Sequence, residues 1–181
     1  MNDFVTFIDL NTVRVERLLP GPIGRIWTYL TDSEMRGTWL AAGDMELRAG
    51  GRVELKFIHS QLSDYAEPIP ERYRQFEQGH TNYGIVTRCE EPFLLGYTWG
   101  NESVDASEVT YELIPSGEDV FLVLTHRRLS GEREVMASVA AGWHTHLDIL
   151  GDQLNGRMRR AFWSTHALME AEYEKRLSAQ A

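Results

Sequence analysis

The segment Gly142-Trp143-His144-Thr145-His146-Leu147-Asp148-Ile149-Leu150 constrains the fold more than any other stretch of this chain. Trp143, Leu147, Leu150 and Leu154 recur at spacings of four, three and four residues, and Met136 and Val139 extend the row backwards. That is the repeat of a helix with one buried side. Strand-like segments precede it, so the helix is read as the element a sheet closes around, and any internal site lies beneath it.

The rest of the chain organises around this helix. Thr12 to Leu19 alternates, with Val13 and Val15 on one face and Arg14 and Glu16 on the other, as a strand does. Pro20-Gly21-Pro22 then changes the period, and Ile23, Ile26, Trp27 and Leu30 mark a short amphipathic helix with proline at its start. Asp32 or Ser33 caps a second short helix leading to Trp39. Met45–Arg48 and Arg52–Phe57 both alternate, and Gly50-Gly51 between them supplies the backbone freedom of a tight hairpin. Further strands are expected over 83–90, 94–99, 108–114 and 120–127, followed by the long helix of 133–155 and a second helical segment over 157–177. The apolar stripe of that last segment is Met158, Phe162, Met169, Tyr173 and Leu177. Residues 59–80 hold no period and read as a long loop, either a lid over a pocket mouth or a tolerated insertion.

At 181 residues the chain fits a single domain, 1–181, with a core over 12–155 and an added carboxyl-terminal helix over 156–181. No apolar run approaches the roughly 20 residues of a membrane span. Met1-Asn2-Asp3-Phe4 carries an acid where an export signal carries bases, and Cys89 has no second cysteine to pair with, so the expected location is cytoplasmic. A net charge of -9 repels a phosphate backbone, and the one basic cluster, Arg157-Met158-Arg159-Arg160, is too short to reverse that; no nucleic-acid partner is expected.

Catalytic and metal chemistry find little support. His144 and His146 stand about 200 degrees apart around a helix and do not face one ion, so no metal is expected. Ser60, Ser63 and Ser103 lack the glycine elbow of a nucleophile. Gly50-Gly51 serves a hairpin rather than a dinucleotide, and no cofactor is expected. His146 falls about 60 degrees from Trp143, at the edge of the inward stripe. His126 ends the last strand in phase with Leu122 and Leu124. Each is a candidate cavity residue, although for either taken alone a buried or boundary imidazole hydrogen-bonded to backbone or solvent is the favoured reading.

The order of elements, a strand, two short helices, six strands and a long helix, resembles the helix-grip fold of the steroidogenic-acute-regulatory lipid-transfer and birch-pollen-allergen superfamily. Within it the chain is similar to the family named after the activator of heat-shock-protein-90 ATPase. The residues that carry the resemblance are Pro22 with Ile26-Trp27, Trp39, Arg48-Ala49-Gly50-Gly51-Arg52, Glu91-Pro92 leading to Tyr97-Thr98-Trp99, Leu124-Thr125-His126, and Gly142-Trp143 with Leu147 and Leu150. It spans roughly 12–155; the loop 59–80 and the tail after Gly156 depart from the family's short pattern. The resemblance implies an α+β fold in which a curved antiparallel sheet of about seven strands grips the last long helix, with an apolar cavity between them. Sterols, lipids, polyketides or flavonoid-like molecules are the implied ligands. Trp39, Phe57, Tyr83, Tyr97, Trp99, Tyr111, His126, Trp143, His146, Leu147 and Leu150 are the expected lining, with an ordinary aromatic core as the competing reading of the tryptophans and tyrosines. Three functions compete: binding a small apolar or aromatic molecule, a cyclase, dehydratase or hydrolase using a cavity histidine with an acid, and a co-chaperone-like or homodimeric interaction through the 157–177 helix.

Overall fold

The computed structural model describes residues 3–103 and 105–179. Seven strands, β1 (Thr6–Asp9), β2 (Thr12–Pro20), β3 (Arg52–Phe57), β4 (His80–Glu90), β5 (Leu94–Thr98), β6 (Glu108–Ser116) and β7 (Asp119–Arg127), form one antiparallel sheet in the order β1-β2-β7-β6-β5-β4-β3. Two short helices, α1 (Ile23–Thr31) and α2 (Ser33–Gly37), follow β2, and α3 (Arg133–Leu154) and α4 (Phe162–Ala179) follow β7. This is the helix-grip arrangement. Its core gathers Val13, Val15 and Leu19 of β2, Leu122 and Leu124 of β7, Tyr111 of β6 and Tyr97 of β5 against Met136, Ala140, Trp143, Leu147, Leu150 and Leu154 of α3.

Local chemistry explains the turns. The Asp32 carboxylate accepts from the Met35 N–H at 2.9 Å and caps α2. Gly50 adopts φ +78°, and a side chain at Gly51 would strike the Glu46 carbonyl, so both glycines are required. The hairpin they make is not the regular one expected. Glu46 accepts the Arg52 N–H with its carboxylate and donates its own N–H to the Arg52 carbonyl, while Arg48 turns back onto the Glu46 carbonyl. Met45–Arg48 is therefore no strand, and only the bridges Ala42 to Lys56 and Met45 to Val53 remain. Five strands, not six, follow the short helices, and β1, which the sequence pattern did not reveal, brings the sheet to seven.

The tail also differs from expectation. Residues 157–161 are not helical, because their arginines are engaged elsewhere. Arg157 and Arg160 pair with Asp152, Arg160 also with Asp148, and Arg159 reaches Asp64 at 2.7 Å and the Gln61 carbonyl at 2.8 Å. The basic cluster is an internal strut. Met158 is left exposed, while Phe162 and Tyr173 of α4 are buried. The Tyr173 hydroxyl takes the Val5 N–H at 2.8 Å and lies 2.7 Å from His144 Nδ1, tying the amino-terminal segment to both long helices. The apolar face of α4 is thus covered within the chain.

The segment 59–79, expected to be an irregular loop, holds short 3-10 helices at His59–Gln61 and Glu71–Phe76 and forms a strap laid over α4, while His80 already belongs to β4. The Glu67 carboxylate accepts the N–H groups of Trp163 and Ser164, where the helix leaves donors unpaired. Asp64 and Arg72 pair with Arg159 and Glu170, and Tyr73 stacks on Trp163 at 5.0 Å. No described helix is long and apolar enough to cross a membrane.

Candidate functional site

Where α3 faces the β5–β6–β7 part of the sheet lies a hollow of about 100 Å³, lined by Trp99, His126, Val139, Gly142, Trp143 and His146. Four of these stand at 139, 142, 143 and 146 on α3 and so share a helix face. Trp99 follows directly after β5 and His126 comes from β7. The space is several-fold smaller than the roughly 300–1,000 Å³ of a pocket for a drug-sized ligand. Trp39, Tyr97 and Tyr111 are fully buried and fill much of the interior between sheet and helix.

Hydrogen bonds decide the state of each imidazole. Trp143 Nε1–H donates to His126 Nδ1 at 3.0 Å, so His126 carries its proton on Nε2 and donates it to Ser107 Oγ, also at 3.0 Å. His146 Nδ1 lies 2.8 Å from the Trp39 carbonyl, which only accepts, so Nδ1 is the protonated nitrogen. Its Nε2 makes no hydrogen bond among the described residues. Burial drives both pKa values down, His126 to about 3 and His146 to about 4, so both are neutral at physiological pH.

Aromatic rings build the walls. Trp99 and Trp143 sit 5.1 Å apart at 60°, and Trp99 lies 5.6 Å from both His126 and Phe57. Beneath them Tyr97 and Tyr111 join hydroxyls at 2.9 Å, and burial raises the Tyr97 hydroxyl to about 12 and that of Tyr111 well above its ordinary value. Beyond His146, Phe57, His59, His80 and Phe162 close one end. The Nδ1 atoms of His59 and His80 are buried there without a hydrogen-bond partner. Among the described residues no three His, Cys, Asp or Glu side chains converge as a metal site.

Of the eleven residues expected to line the cavity, Trp99, His126, Trp143 and His146 do so. Trp39, Phe57, Tyr97, Tyr111, Leu147 and Leu150 are buried around the hollow without lining it. Tyr83 does not belong to the set. It is 46% exposed, because β4 turns Gly84 and Val86 inward and Tyr83 stands opposite Glu54 on the outer face. Val139 and Gly142 were missed as lining residues, although their spacing to Trp143 and His146 marks one face. Arg36 was missed altogether. It is fully buried and donates to the carbonyls of Thr31 at 2.9 Å, Ala41 at 3.0 Å and Gly43, fastening α2 to the loop behind Trp39.

No curated protein matches the sequence. Among solved structures, the product of the BPP1335 gene of Bordetella parapertussis is 43% identical, with 94% of this chain and 88% of that one covered at a TM-score of 0.78. CalU16 from Micromonospora echinospora is 22% identical over 97% of this chain and 93% of its own, TM-score 0.64. A protein described as the Aha1 dimer from Colwellia psychrerythraea is 16% identical over 79% and 95%, TM-score 0.57. The profile described as "Activator of Hsp90 ATPase homolog 1-like protein" matches residues 20–155, and the chain belongs to that family.

Proposed function

We propose that this protein binds a small apolar or aromatic molecule in the hollow between its sheet and α3. The observation that carries the reading is the composition of that hollow: two tryptophans and two neutral imidazoles surround a space into which no side chain of Gly142 projects. Aromatic walls with a few polar tips favour flat ligands through apolar burial and ring contacts. Size narrows the class, since a cavity of about 150 Å³ with apolar walls takes up benzene. A single ring is the fitting scale, rather than the sterols and lipids the family resemblance suggests.

An enzymatic reading requires an acid beside a cavity histidine, and neither His126 nor His146 is hydrogen-bonded to a carboxylate. Assembly through α4, as the name of the Colwellia protein invites, would have to use a face other than the one Tyr173 and Phe162 already bury.

The test fills the hollow from its open side. A Cβ at Gly142 meets nothing within 4 Å, so Gly142→Leu is expected to fold and to occupy the space. Amide NMR titration with monocyclic aromatics should shift signals of residues 139–146 in the wild type and leave the variant unmoved. Absence of any shift in the wild type, or equal shifts in both, would overturn the reading.

A further inference from the structure

We infer that the hollow selects a single ring bearing a hydrogen-bond donor, a phenol-like molecule, with His146 as the specificity-determining acceptor. This rests on the binding site proposed above and names the chemistry it recognises. The Trp39 carbonyl cannot donate, so it holds the proton of His146 on Nδ1 and leaves a lone pair on Nε2. That lone pair has no partner among the described residues, and the side chain lines the hollow.

The other polar groups of the wall do not compete for a donor. Both nitrogens of His126 are engaged, one accepting from Trp143 and the other donating to Ser107. The indole N–H of Trp143 is spent in the first of those bonds. Trp99 offers only an N–H, without a hydrogen bond among the described residues, and a hydroxyl on the ligand could accept from it as well as donate to His146. A neutral imidazole is needed for the acceptor role, and burial beside Phe57 and Phe162 keeps it neutral.

Phenol, anisole and toluene separate the donor from the ring. Isothermal titration near pH 7.5 should give phenol about tenfold tighter binding than anisole or toluene, the scale of one hydrogen bond. Nitrogen-15 spectra of the histidine rings should show His146 protonated at Nδ1 and its Nε2 resonance moving when phenol is added. His146→Phe should erase the preference while keeping toluene; should that variant not fold, the ring spectra of the wild type decide. Equal affinities for all three compounds, or a still Nε2 signal, would overturn the donor requirement and leave the apolar binding intact. If none of the three binds, the binding reading itself falls and takes this inference with it.

Discussion

Acidification between pH 6.5 and 5 should destabilise this protein far more than its carboxylates alone would allow. His126 and His146 are buried at 1% and 7% exposure and held neutral, with pKa values lowered by burial to about 3 and about 4. In the unfolded chain each returns to about 6.5. Below that value the unfolded state binds protons that the folded state refuses, so stability falls with pH at about 1.4 kcal/mol per unit for each group. Over 1.5 units the loss is about 2 kcal/mol each and about 4 kcal/mol together, against a total of about 5–15 kcal/mol for a domain. His59 and His166, lowered to about 3 and about 4 chiefly by burial, push the same way. For Asp148, burial works to raise the pKa, but His144, Arg160 and Arg17 outweigh it; that carboxyl stays below its ordinary 3.8, and its contribution is lost only beneath this window. Urea unfolding at pH 7.5, 6.0 and 5.0 measures the effect directly. His126→Gln should remove about one proton from the slope. A stability that stays flat from pH 7.5 to 5.0 would refute the claim that these imidazoles are sealed in neutral form.

Replacing Arg36 by Met strands the carbonyls of Thr31, Ala41 and Gly43 in the interior, and urea unfolding should report a loss of about 3–5 kcal/mol, only partly recovered by Lys. Tyr173→Phe removes the partner of the Val5 N–H and of His144; about 1–3 kcal/mol should go, with faster hydrogen exchange at the Val5 amide. Gly142→Ala and Gly151→Ala both lie inside α3 with open space at the Cβ, so each should gain up to about 1 kcal/mol in thermal unfolding. Only the first should weaken binding of a ring in the hollow.

The apolar framework was legible because burial follows from side-chain type and spacing. The stripe from Met136 to Leu154 and the inward row of β2 stand where the period placed them, and of the two capping candidates Asp32 is the one that caps α2. Parity in β4 was not legible from hydropathy, since Tyr83 and Ile85 on one face compete with Val86 on the other. A glycine carried that information: a Cβ at Gly84 would strike the Thr98 carbonyl, so the strand must turn this position toward a close neighbour. What periodicity cannot show is where a polar group finds its partner. Arg36, the arginines of 157–160 and Glu46 each redirect the backbone through contacts set by the whole fold.

The hollow itself belongs to both kinds of feature. Its position was legible in part, through Trp143 and His146 but not Val139 and Gly142, and its existence depends on a missing side chain and on a tethered one. Trp143 is bound through Nε1 to His126, which Ser107 fixes in turn, so the indole is held against the sheet rather than folded over Gly142. His146 is held likewise by the Trp39 carbonyl. Polar tips anchored away from the empty position keep large rings from collapsing into it, which is how a core this densely aromatic retains a space at all.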